Sequence, residues 1–172
     1  MDTLSVDRVD RVEGVESPEL PQDLEPLAFL LGEWAGRGVG DYPTIERFEY
    51  LEKTSFRQLG KPFLAYEQRT RTIEGRPLHT EMGYWIPGTG GKVELLLAHP
   101  FGVVEIAEGN VDGAGITLRS RTLAASSTGA EVEGTTRHVW LDGDTLRYTF
   151  DMAAEGQPLQ RHLEAELRRA GG

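Results

Sequence analysis

The sequence predicts an all-β fold, a ten-stranded antiparallel up-and-down β-barrel preceded by one short helix. Three observations lead there. After Gly32 the chain becomes a string of short segments rich in Val, Ile, Thr, Tyr, Phe and Trp, with no long helical period among them. Turn residues separate these segments, and several breaks carry Asp-Gly or Glu-Gly, the chemistry of tight hairpins. Consecutive strands with short links would also leave two exposed edges unless the sheet closed on itself, which favours a barrel over an open sheet, with a sandwich as the alternative.

The elements follow in order. Residues 1–22 carry few large apolar groups and many charges, so this acidic N-terminal tail is expected to be disordered, with one barrel domain over 23–172. Residues 1–25 hold eight acids and two bases, a charge of −6, and the other 147 hold twenty and sixteen, a charge of −4. Most of the net charge of −10 is therefore a property of the tail. From Asp23 to Gly32 an N-cap residue, an apolar run and a stopping glycine suit a short helix. Strands are expected near 34–39, 45–57, 62–73, 78–86, 92–99, 102–109, 114–122, 132–141, 145–153 and 159–169. Alternation is clean at Leu146, Tyr148, Phe150 and Met152, and again at Leu163, Ala165 and Leu167. A barrel of this strand number can enclose a ligand cavity, which makes small-molecule binding the leading generic function.

Composition removes much other chemistry. With no cysteine there is no disulfide, thiolate metal site, iron–sulfur cluster or Cys nucleophile. The acidic balance argues against nucleic acid and against an anionic membrane surface. No apolar run approaches the roughly 20 residues that span a bilayer, and the N-terminus reads as no signal peptide, so the expected location is the cytoplasm. Gly88 to Gly91 lacks the Lys-Ser/Thr of a phosphate loop, and no G-x-S-x-G element is present. Glu164 and Glu166 fall on a solvated strand face, which gives paired-carboxylate chemistry little support.

Four histidines remain. His99 shares strand parity with Val93, Leu95 and Leu97, so it faces either a cavity near its mouth or a hydrogen-bonding partner at the strand end. His79 shares a face with Glu81 and Trp85, and alone it reads as a polar, solvent-facing strand position. His138 is assigned to the surface. His162 shares parity with Gln160, Glu164 and Glu166, so alternation places it outside the barrel. No pair has metal-ligand spacing, whereas haem brings four nitrogen ligands of its own and needs only one histidine. In Gly32-Glu-Trp34-Ala-Gly36-Arg-Gly38, Trp34 reads as a plug for one barrel end, with glycines that let strands cross and bend.

These residues resemble the nitrobindin family, small ferric-haem β-barrels. Gly32-x-Trp34-x-Gly36-x-Gly38 is similar to that family's G-x-W-x-G-x-G motif. In the same order follow Tyr42-Pro-Thr44-Ile, Phe48-Glu-Tyr-Leu-Glu52, Gly60-Lys-Pro-Phe-Leu64, Leu78-His79-Thr-Glu81, Leu97-Ala-His99-Pro and Gln157-Pro-Leu-Gln-x-His162-Leu. The resemblance covers about residues 24–169. It implies one haem b at an open barrel end, His162 as the axial iron ligand, and Thr44 in contact with the haem. It sets His79 and His99 near the distal side, His79 as a possible hydrogen-bond donor, although other members carry Gln where His99 stands. The implied activity is isomerisation of peroxynitrite to nitrate, with binding of nitric oxide, by a monomer or homodimer with no nucleic-acid or membrane partner. A bulge would reconcile His162 with the alternation that puts it outside. At this level two other functions stay open: a non-catalytic haem or nitric-oxide carrier or sensor, and an apolar-ligand barrel without haem.

Overall fold

The computed structural model describes residues 19–170, so the expected disorder of the acidic tail falls almost wholly outside the described residues. Ten strands run in sequence order: β1 (Gly32–Tyr42), β2 (Ile45–Gln58), β3 (Leu64–Thr72), β4 (Pro77–Pro87), β5 (Lys92–His99), β6 (Val103–Asp112), β7 (Gly115–Ala125), β8 (Val132–Asp142), β9 (Thr145–Ala154) and β10 (Gln160–Arg169). Each pairs antiparallel with its neighbour, and β1 pairs with β10 to close the barrel. No edge is left unpaired, which is the physical reason for closure. Gly113 and Gly143 supply the positive φ in two of the tight hairpins, as their Asp-Gly sequences predict.

The expected short N-terminal helix is present, but Asp23 does not cap it. It is a 3₁₀ helix over Gln22–Leu30, with Asp23 inside it and no side-chain cap. Two features select this form. Pro26 removes one backbone donor from the interior, and Leu24, Leu27 and Leu30 recur every three residues, the period of a 3₁₀ turn. All three leucines are fully buried and close one end of the barrel. Trp34 packs beneath them, and its indole N–H donates to the Leu30 carbonyl at 2.7 Å. The Arg169 guanidinium covers the indole face at 4.4 Å, so the first and last strands are pinned to the plug.

The inner face of β1 continues from Trp34 through Gly36, Gly38 and Gly40 to Tyr42. A Cβ on Gly36 would meet the Glu166 carbonyl of β10 at 2.0 Å, so this glycine permits the close backbone approach at the seam. A Cβ on Gly38 would strike the Tyr50 ring at 2.2 Å. That missing side chain lets Tyr50 lie across the barrel floor. Toward the other end the wall opens: the β7–β8 ladder stops at Arg119↔Thr136, and the strands part beyond it.

Candidate functional site

The open end leads into a cavity of about 380 Å³ within the barrel, a size suited to small-molecule sites. Its walls near the mouth are apolar, with Phe48, Leu78, Phe101, Phe150 and Leu163 among them. Its floor is polar, and two buried networks make it so.

One network centres on Glu52. Its carboxylate accepts from Thr54 (2.6 Å), Gln68 (2.9 Å) and Tyr148 (2.6 Å), and the Tyr148 hydroxyl meets that of Tyr50 at 2.8 Å. Burial pushes the Glu52 carboxyl above the usual carboxylate range, and these three hydrogen bonds only partly oppose it. The other centres on Glu81, which Arg137 grips with both terminal nitrogens at 2.8 and 3.2 Å, while Tyr66 donates at 2.7 Å. Burial alone would raise Glu81, but Arg137, His79 and His99 together hold it well below the ordinary value. Glu105, also buried, accepts a short hydrogen bond from Thr135.

His162 sits at the mouth. Opposite β9, Arg161 pairs with Asp151 and Leu163 with Phe150, so His162 is the extra residue of a β-bulge. The bulge breaks alternation and brings its ring to the cavity wall, which corrects the outward placement read from parity. A second irregularity faces it, since β1 shifts register between Gly40 and Tyr42 and so leaves Asp41 out of the β1–β2 ladder. The Asp41 carbonyl lies 3.3 Å from His162 Nδ1, and the Tyr42 ring meets the imidazole edge-on at 5.2 Å. Tyr42 is itself anchored, because its hydroxyl accepts from the Ala154 amide at 2.9 Å. Donation from Nδ1 to the carbonyl leaves Nε2 with the lone pair, the arrangement a metal-ligating histidine needs. Burial lowers the His162 pKa, the Asp41 carbonyl opposing it in part.

His79 and His99 line the same cavity, correcting the solvent-facing reading of His79. Their rings stack at 5.6 Å, and Phe101 lies against both. Thr44 occupies the exposed turn between β1 and β2 and does not line the cavity. His138 is exposed and stacks on Trp140. Sequence reading missed Glu52, Glu105 and Arg137. The signal was a charged residue at inward parity, as with Glu52 between Tyr50 and Thr54.

Residues 23–169 match the family described as THAP4-like, heme-binding beta-barrel domain. The chain belongs to this family. It is the nitrobindin family to which the sequence motifs pointed, and haem is its cofactor. "Peroxynitrite isomerase 2" of Mycobacterium avium is 49% identical over 159 residues, covering 87% of this chain and 99% of that protein. "Peroxynitrite isomerase 1" of Mycobacterium tuberculosis is 50% identical over 154 residues, covering 85% and 94%. The crystal structure of Rv2717c from M. tuberculosis superposes with a TM-score of 0.83 at 47% identity, covering 89% of this chain and 100% of that one. Among the described residues no helix is long and apolar enough to cross a membrane.

The residues present fit a haem. An imidazole oriented through one nitrogen stands at the mouth, beside apolar side chains able to pack on a flat macrocycle.

Proposed function

We infer that this nitrobindin-family chain holds one haem b through His162 and isomerises peroxynitrite to nitrate, and that it also binds nitric oxide. The observation that carries the reading is the His162 bulge, which sets an oriented imidazole on the wall of the family's barrel cavity. Relatives named peroxynitrite isomerase at about half identity, aligned over nearly their whole length, support the reaction.

The bound iron would supply the Lewis-acid centre on which the oxygen–oxygen bond of peroxynitrite rearranges. The chain's own residues prepare that centre. The Asp41 carbonyl and the Tyr42 ring fix the plane and tautomer of His162. Phe150 approaches His162 at 6.3 Å, and with Phe48 and Leu163 it offers an apolar wall beside the imidazole. His79, whose side chain is 29% exposed, stands where a ring N–H can donate to an anionic oxygen entering the cavity. Thr44, in the exposed turn between β1 and β2, is proposed to touch the haem edge on the family resemblance alone.

A visible absorption titration with haem tests the reading. The full chain should develop a Soret band at one haem per chain, and His162→Ala should abolish it while far-UV circular dichroism stays unchanged. An equally strong band in His162→Ala would overturn the axial assignment. Stopped-flow decay of peroxynitrite with the ferric protein tests the reaction separately. Decay no faster than buffer, with the Soret band intact, would leave a haem carrier rather than an isomerase.

A further inference from the structure

On the cavity wall, three side chains converge that sequence spacing alone keeps apart. The β4–β5 ladder ends at Met82↔Ala98, and one step beyond it Glu81 and His99 face each other across the strands. His79 lies two residues before Glu81 on the same side of β4. Glu81 Oε2 is 3.8 Å from His79 Nε2 and 3.5 Å from His99 Nδ1, and the donor atoms of all three residues lie within 4.8 Å of one another. We propose that His79, Glu81 and His99 form a non-haem metal site for a divalent first-row transition ion of the zinc type.

Geometry carries the first part of the argument. Nitrogen and oxygen donors held tetrahedrally at about 2.0–2.2 Å from zinc lie roughly 3.3–3.6 Å apart. The two short separations already approach that value, and small χ rotations of His79 close the third. Two imidazoles and one carboxylate also leave at least one coordination position open, and here it faces the cavity.

The second part is an unpartnered atom. The His99 side chain is only 6% exposed, yet its Nδ1 has no hydrogen-bond partner. A buried ring nitrogen left unpaired is costly, and one aimed at a carboxylate oxygen and a second imidazole is a ligand in waiting.

The surroundings carry the third part. His99 Nε2 faces Glu105 Oε2 at 3.6 Å, and Glu105 is itself held by Thr135. A carboxylate behind the far nitrogen is the usual support of a metal-bound histidine. Glu81 is fixed in turn by Arg137 and Tyr66; both donate to its Oε1, whereas Oε2 accepts only from Arg137 and keeps a lone pair on the side of the two histidines. Beside the site two buried carboxylates, Glu81 and Glu105, stand against one buried guanidinium, Arg137. A bound cation reduces that imbalance. The site uses neither Nε2 of His162 nor the Asp41 carbonyl, and it shares with the haem reading only His79, whose Nδ1–H can still donate when Nε2 ligates, so it stands whether or not His162 holds the haem.

The full chain, with and without haem, is titrated with Zn²⁺ by calorimetry and with Co²⁺ by visible absorption. One ion per chain in either form, with cobalt d–d bands, is the expected result. His79→Ala and His99→Ala should each weaken binding about 100-fold or more, and Glu105→Gln about 10-fold. His138→Ala and His162→Ala should leave it unchanged. If circular dichroism shows that His99→Ala does not fold, His79→Ala at the rim decides alone. The absence of stoichiometric binding overturns the proposal, as does binding that survives His79→Ala or disappears with His138→Ala.

Discussion

At one end of the barrel Leu24, Leu27, Leu30 and Trp34 fill the interior with hydrocarbon, tied together by a single indole hydrogen bond. At the other, Glu52, Glu81, Glu105 and Arg137 are also buried but held by hydrogen bonds around a cavity. Both sets of side chains are buried, yet they contribute to stability differently. The plug gains from every buried methylene, whereas the polar floor must satisfy each charge merely to break even. The contrast teaches where this fold keeps its margin: the helix-capped end carries it, and the open end draws on it.

Cutting the charge pair at the polar floor should have the largest effect. Arg137→Met leaves Glu81 buried and unmatched, which costs about 3–5 kcal/mol; urea denaturation at neutral pH measures it. A loss below about 1 kcal/mol would mean that water from the cavity already solvates the pair. At the plug, Leu27→Ala should cost about 2–5 kcal/mol through transfer and cavity terms. Its haem titration should match the parent's, since Leu27 is remote from the mouth; a weakened Soret band would show that the two ends are coupled. Gly38→Ala joins them, because its methyl must displace the Tyr50 ring and with it the Tyr148 hydroxyl. A cost of about 1–3 kcal/mol is expected, and Tyr50→Phe in the same background should recover little of it.

The smallest effect separates the two buried glutamates by sign. Glu81 is depressed in the folded state, so its contribution is present above the unfolded value near about 4.3 and is lost as pH falls. Glu52 is raised, so the folded state binds the extra proton and stability declines as pH climbs from that same value toward the raised one. Glu52→Gln should flatten the upper limb of a stability–pH curve, and Glu81→Gln the acid limb. Identical curves for both variants would refute the assignment.

The strands were legible because turns and alternation are local signals, and all ten expected segments coincide with strands to within a few residues. The helix was legible as an element but not in its cap, since Asp23 reads as a capping residue and yet lies inside the first turn, after Pro21. His162 shows the limit of periodicity: one inserted residue reverses every inference from parity, and no local signal at Arg161-His162-Leu163 announces it. His79, Glu81 and His99 show another limit. Their proximity comes from pairing between strands, and a search for H-x-H or H-x-x-x-H spacing cannot see across a ladder. The inward charges could have been found, because Glu52, Glu105 and Arg137 each interrupt a buried face at the correct parity.

The seam between β1 and β10 joins Trp34 to Arg169, so the ring of strands is completed by contacts between the two extremes of the barrel sequence. The strand that completes it also bears His162, and the carbonyl that orients His162 belongs to β1. In a chain made from its N-terminus, the pocket therefore comes into being last. A sheet of the first nine strands exposes two unpaired edges and lacks His162, and the pairing that removes those edges also brings the imidazole to the cavity. On the axial role proposed for His162, cofactor capture thereby doubles as a readout of barrel closure: only a chain whose tenth strand has docked can be loaded.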